Sequence, residues 1–188
     1  MKRTQRNLFI IMAAMVAFYS IVTRLPWQAA LTVAAAALLA FFALVIWGRD
    51  FFVARRHTRR REWAQAVERY QRFERKLLGA PWRRATVVLY LGIYTFDGVA
   101  IARNNIGQAY MNAEELDQAV RWLRSALQRD PQYAVPYVNL AVIAAMRRDE
   151  ANARREMSRA VQLGYSPAGA QRILRRALAR ANEKLGGS

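Results

Sequence analysis

The sequence has no cysteine and a single histidine, His57, among its 188 residues. The first absence removes disulfide staples, thiolate nucleophiles, cysteine-ligated zinc and acyl-cysteine anchors. The second leaves nothing from which to build a histidine metal site or an acid–base relay. Acidic residues are scarce too, 13 against 30 basic ones, for a formal net charge of +17. No phosphate-binding glycine loop, nucleophile–base pair or metal-ligand spacing appears. Catalysis is therefore the class least expected, and no metal or cofactor is expected either. A chain this basic is left with anionic partners: nucleic acid, anionic lipid or an acidic protein.

The position of the charge narrows that choice. Residues 1–47 carry four basic and no acidic residues, 48–96 carry 12 and four, and 97–188 carry 14 and nine. The excess peaks just after the most apolar part of the chain. Leu8–Val22 carries no charge, and 28–47 is apolar apart from Gln28 and Thr32. The first run is short for a span, and the second has about the length that crosses a bilayer core as a helix. Between them lies Thr23-Arg24-Leu25-Pro26-Trp27. Proline suits the first turn of a helix, and Trp27 and Trp47 bracket the second run where indoles favour the interface. Unpaired backbone groups are costly in lipid, so residues 1–48 are expected to form a transmembrane hairpin of two helices, about 8–23 and 27–47.

Flanking charge sets the orientation. Lys2, Arg3 and Arg6 precede the first helix, and Arg24 stands alone in the turn. Arg49, Arg55, Arg56, Arg59, Arg60 and Arg61 follow the second. The positive-inside rule then places both termini in the cytoplasm, at an inner (cytoplasmic) membrane. A cleaved signal peptide is the competing reading of the first run. In that case the second helix acts as the stop-transfer segment, and the C-terminal part is still cytoplasmic.

Residues 49–62 read as a basic juxtamembrane segment, with Phe51-Phe52-Val53 and the six arginines lying on the anionic leaflet. Each arginine near that surface contributes roughly 1 kcal/mol of attraction. A plain stop-transfer signal without lipid specificity explains the same residues. Nucleic acid is the weaker partner for them, because the membrane is close by and nucleic acid need not be.

The C-terminal half repeats itself: Ala100–Tyr133 and Ala134–Pro167 superimpose with a shift of 34 residues. Gly107 and Ala141 are small, as are Ala119 and Ala153 on the following helices, so paired helices are expected to approach closely where they cross. Tyr110, Leu123 and Ala126 fill the seam between neighbouring pairs, and Asp130-Pro131 and Ser166-Pro167 end one helix and begin the next. Ile106-Gly107, Tyr110, Ala119, Leu123, Ala126 and Pro131 stand where a tetratricopeptide repeat has its signature residues, and the segment resembles that family. Tyr137, Leu140-Ala141, Ala144, Ala153, Met157 and Ala160 carry the resemblance into the second copy. Arg103 departs from it, standing where a large apolar residue is usual. Ala66, Val67 and Tyr70 resemble the second helix of a further copy, but at an offset of 53 residues rather than 34.

The fold class expected is therefore all-α: the hairpin, the juxtamembrane segment, divergent flanking helices over 63–99, two repeats of a helical solenoid over 100–167, and a capping helix over 168–185. Within 63–99, the apolar run Ala85–Phe96 is expected as a buried helix, kinked near Asp97-Gly98. The capping helix shows one apolar stripe, with Ile173, Leu174, Ala177 and Leu178 at helical spacing.

The resemblance also implies a binding groove along the first helix of each repeat. Its candidates are Ile101, Asn104, Asn105, Gln108 and Met111, followed by Val135, Val138, Asn139 and Val142. Asn105 and Asn139 are one repeat apart, and amides so placed are able to hold the backbone of a bound peptide. They are equally able to bond within their own stack. The function expected is a membrane-anchored adaptor or scaffold that binds a protein or peptide partner, as an accessory or assembly subunit of a membrane complex. The alternatives are a self-associating membrane organiser with a lipid-binding basic face and, last, a nucleic-acid tether.

Overall fold

A computed structural model of the chain describes residues 3–79 and 94–186. Among the described residues there are nine helices and no sheet. They are α1 (Arg3–Val22), α2 (Trp27–Trp47), α3 (Arg49–Arg59), α4 (Trp63–Gly79) and α5 (Gly98–Asn112), then α6 (Leu116–Arg129), α7 (Ala134–Met146), α8 (Glu150–Gln162) and α9 (Pro167–Gly186). Packing is sequential from α3 to α9, with additional contacts between α5 and α7 and between α7 and α9. Thus α5, α7 and α9 lie side by side in one layer, α4, α6 and α8 form a second, and α3 packs on α4.

α1 and α2 stand apart from this stack. Gln5–Val22 is long and apolar enough to cross a membrane, and only 6% of that span is buried. A helix of the protein's own core would bury such a face; a membrane anchor or a signal sequence would leave it exposed in this way. α2 is also apolar over its described residues Trp27–Ala43. The two helices do not pack closely on one another. Their junction is a tight turn in which the Thr23 amide donates to the Tyr19 carbonyl at 3.0 Å and Pro26 accepts from the Ala30 amide at 2.9 Å. Pro26 therefore sits just ahead of the helix and opens its hydrogen-bond ladder, where its missing N–H costs nothing.

One backbone turn joins the two helices of each hairpin, and the same closure recurs between α8 and α9, where Gly164 has φ 102° and the Tyr165 amide reaches the Ala160 carbonyl. Arg61, Glu114 and Arg148 take the left-handed conformation, with φ of 60°, 63° and 62°. The amides of Glu62, Glu115 and Asp149 each reach back five residues, to the carbonyls of His57, Tyr110 and Ala144. This six-to-one bond is the Schellman closure of a helix C-terminus. The spacings are those of the sequence repeat, 34 residues between the last two copies and 53 between the first two.

It follows that α3–α4 is a third copy of the hairpins α5–α6 and α7–α8. The segment 49–62, expected as a basic juxtamembrane segment, forms the first helix of that hairpin together with its turn. Phe51 faces inward: it is 4% exposed and packs on the rings of Tyr70 and Phe73, with centroids 5.8 and 5.4 Å away. The helix expected over Ala85–Phe96 falls mostly outside the described residues. Tyr94–Phe96 is not helical, and α5 begins afresh at Gly98, capped by the Asp97 carboxylate, which accepts from the Ala100 amide at 3.0 Å.

Small residues mark each crossing. Ala54, Gly107 and Ala141 are equivalent and buried, and so are Ala66, Ala119 and Ala153 on the partner helices. At Gly107 the approach is closest: a Cβ there would lie 2.8 Å from Leu123 Cγ and 3.1 Å from the Ala119 carbonyl oxygen. Each hairpin hands part of its core to the next. Tyr70, Phe73 and Leu77 meet Val99 and Ile106, Leu123 meets Ile143, and Met157 and Ala160 meet Ala170.

Arg103 explains its own departure from the repeat pattern. Its Nε donates to the buried Glu74 carboxylate at 2.6 Å, and its NH1 donates to Ser125 Oγ at 3.0 Å. An ion pair linking α4, α5 and α6 takes the place of an apolar plug.

Gly107→Ala is expected to lower the urea midpoint of the full chain, followed by circular dichroism in detergent. Overpacking costs about 1–3 kcal/mol, more than the gain of about 1 kcal/mol in helix propensity. Arg148→Gly is expected to raise the same midpoint, with an unfolding free energy higher by about 0.5–1 kcal/mol, because glycine adopts the left-handed turn without strain. An unchanged midpoint in Gly107→Ala would contradict the close crossing.

Candidate functional site

Residues of α3 and α5 flank an open cavity of about 450 Å³. Helical periodicity decides what faces it. From α3 come Phe51, Arg55, Thr58 and Arg59, and from α5 come Ile101, Asn105 and Gln108. Tyr70, Tyr94, Thr95 and Tyr133 complete the described lining. Arg55, Arg59 and Gln108 are exposed, whereas Phe51, Tyr70, Ile101 and Tyr133 are buried and form an aromatic and aliphatic floor.

The electrostatics are one-sided. Burial pushes the Tyr70 phenol above its ordinary pKa, partly offset by the Thr58 hydroxyl and the positive charge of Arg55. Burial also raises Tyr133, helped by the negative charge of Asp130. Both phenols stay neutral at physiological pH and offer dipoles, not charge. Among the described residues no carboxylate lines the cavity, and neither Arg55 nor Arg59 forms an ion pair. Two guanidinium forks facing two side-chain amides make a site for anionic oxygen, able to bind a carboxylate in bidentate fashion.

The family comparison adds no relative. No protein-family model matches the chain, and no curated protein is similar enough to count as one. The site therefore has to be read from its own geometry.

The residues expected from sequence divide among several places. Ile101, Asn105 and Gln108 line this cavity together with Arg55 and Arg59, which joins two sets that had been read separately. Asn104 and Asn139 do not face it. They are 3% and 6% exposed, and Asn139 Nδ2 donates to Asn104 Oδ1 at 2.9 Å across the α5–α7 seam. Of the two roles open to repeated asparagines, Asn139 takes the internal one. Val138 is buried between α7 and α8, and Val135 is partly buried against the core that α3, α4 and α5 share. Met111 and Val142 line a different cleft, over the end of α7. Arg49, Arg56, Arg60 and Arg61 are exposed outside the cavity and, among the described residues, also lack ion pairs.

Sequence reasoning missed Thr58, Tyr70 and Tyr133. The signal was present in the spacing of Phe51, Ala54 and Thr58, which marks one packed face of a helix, but six neighbouring arginines gave the segment the look of a surface tract.

α3 owes its position to Asp50. This carboxylate is 2% exposed and accepts from Lys76 Nζ at 2.5 Å and from Arg69 NH1 at 3.3 Å, both on α4. Burial pushes its pKa up, but Lys76, Arg69 and Arg72 outweigh that and hold it below the ordinary value. A group whose folded pKa is depressed stabilises the fold above its unfolded pKa, about 4, and loses that contribution as pH falls through the folded value. The thermal midpoint of the full chain in detergent is therefore expected to fall below about pH 4. Asp50→Asn is expected to lower the midpoint at neutral pH and to flatten this part of the acid limb. An acid limb identical in both proteins would show that Asp50 does not hold α3.

Proposed function

We propose that the chain is a membrane-anchored adaptor. α1 and α2 form a hairpin in an inner membrane with both termini on the cytoplasmic side. The α3–α9 stack, similar to a tetratricopeptide-repeat solenoid, binds a protein partner and serves as an accessory or assembly subunit of a membrane complex. The observation that carries this reading is the α3–α5 cavity, where Arg55 and Arg59 face Asn105 and Gln108 with no carboxylate among them. Its occupant is an extended peptide bearing aspartate or glutamate, with guanidinium groups taking the carboxylate and amides taking the backbone.

Position supports the same reading. Gly48 alone separates α2 from α3. Arg59 is therefore at most about 18 Å of helix rise beyond the end of α2. A partner bound there is held close to the bilayer. The second reading, a self-associating organiser that grips anionic lipid, draws on Arg49, Arg56, Arg60 and Arg61, which are exposed and free of ion pairs among the described residues. These four point to lipid contact beside the groove and not within it.

Crosslinking and mass spectrometry on native membranes is expected to return a stoichiometric partner that is lost in the Arg55→Glu/Arg59→Glu protein. Asn105→Ala is expected to weaken the same contact. Asn139→Ala should act differently and lower the unfolding midpoint by about 1–3 kcal/mol, because Asn104 loses its buried donor. A chain that crosslinks only to copies of itself favours the organiser. A gel shift at physiological salt that is lost with the same arginines favours nucleic acid.

A further inference from the structure

A second cleft lies at the other end of α5, and it shares no lining residue with the first. It encloses about 700 Å³ over the C-terminal end of α7. Val142 and Met146 from α7 form its floor. Met111 of α5 and Leu116 of α6 stand on one side, and Ile173 and Ala177 of α9 stand on the other. Met146 is 36% exposed and opens directly into the space. On the rim are Arg148, Arg176 and Arg180, all exposed and, among the described residues, without an ion pair.

We infer that this cleft docks a short amphipathic helix of a partner protein, one with an apolar stripe and an acidic flank. Width supports a helix. α5 and α9 both pack on α7. Neighbouring axes in such a layer are about 8–10 Å apart, so the gap between the two outer helices is roughly that of a helix with its side chains. Shape alone would not identify the occupant, but charge does. Arg176 and Arg180 are one turn apart on α9, and Arg148 is at the adjoining α7–α8 turn. Acidic residues at i and i+4 on a bound helix would meet the first two while its apolar stripe covers Met146. Met111 and Met146 adapt to unbranched or branched side chains alike, which suits a floor that receives an apolar stripe. The inference does not depend on what fills the α3–α5 cavity.

The test uses the full chain in nanodiscs of zwitterionic lipid and two labelled synthetic peptides of about 14 residues, some four helical turns. Both carry leucine on one face. One has glutamate along the flank, and the other has lysine in its place. Fluorescence anisotropy is expected to show the acidic peptide binding at least about tenfold more tightly than the basic one. Arg176→Glu/Arg180→Glu and, separately, Met146→Glu are each expected to weaken it at least about tenfold, whereas Arg55→Glu/Arg59→Glu leaves it unchanged. All these positions are solvent-exposed, and circular dichroism checks that each variant folds. Equal binding of the two peptides would overturn the inference, as would cleft variants that bind like the parent. So would loss of peptide binding when phosphatidylglycerol is added to the nanodiscs, which would make lipid the occupant, or a dimer in sedimentation that the cleft substitutions abolish.

Discussion

Two helices cross backbone against backbone only where the contact point carries almost no side chain, and this chain meets that condition three times. Ala54, Gly107 and Ala141 each sit at the crossing of a helical pair, and at Gly107 not even one methyl group fits without displacing Leu123. Everything else in the stack follows from that close approach. It fixes which face of each hairpin turns inward, so Tyr70, Leu123 and Met157 come to the seams. It also requires short, strictly shaped turns, which Arg61, Glu114 and Arg148 close in the left-handed conformation despite their side chains. With the hairpins so defined, they stack in one way, and the two clefts are the spaces this leaves.

Polar groups fix the register that apolar contacts alone would leave loose. Glu74 and Arg103 lock α4 to α5, Asn104 and Asn139 lock α5 to α7, and Asp50 with Lys76 and Arg69 locks α3 to α4. Each of these groups is partly or wholly buried, and each has its partner, as burial demands. The same economy explains the free arginines. Acidic residues are few, and Asp50, Glu74, Asp97 and Asp117 are already engaged with bases inside or across the stack. Positive charge is then left over at both clefts, where a partner's carboxylates are able to complete it.

Much of this was legible in the sequence, because it depends on residues close together in the chain. The 34-residue period, the small residues at Gly107 and Ala141 and the helix ends at Asp130-Pro131 and Ser166-Pro167 are local patterns with local causes. The apolar character of the N-terminal run also declares itself, although Leu8–Val22 reads short for a span and the apolar stretch of the helix extends over Gln5–Val22. Where reading along the chain leaves a choice, the residues have two chemically sound roles. Arg55 and Arg59 look the same on a leaflet as in a groove, and Asn139 looks the same facing a peptide as bonded to Asn104.

The sequence by itself determined an all-helical chain, an apolar N-terminal helix and a repeat with small residues at its crossings, because periodicity and side-chain size act within one or two turns. Tertiary structure alone decided that 49–59 is the first helix of a third hairpin. That outcome rests on Phe51 and Asp50 finding Tyr70, Phe73 and Lys76 on the neighbouring helix. It also decided which arginines share a cavity with Asn105 and Gln108. Those residues are some fifty positions apart, and only the packing of α3 and α5 against α4 brings their charges and amides to one surface.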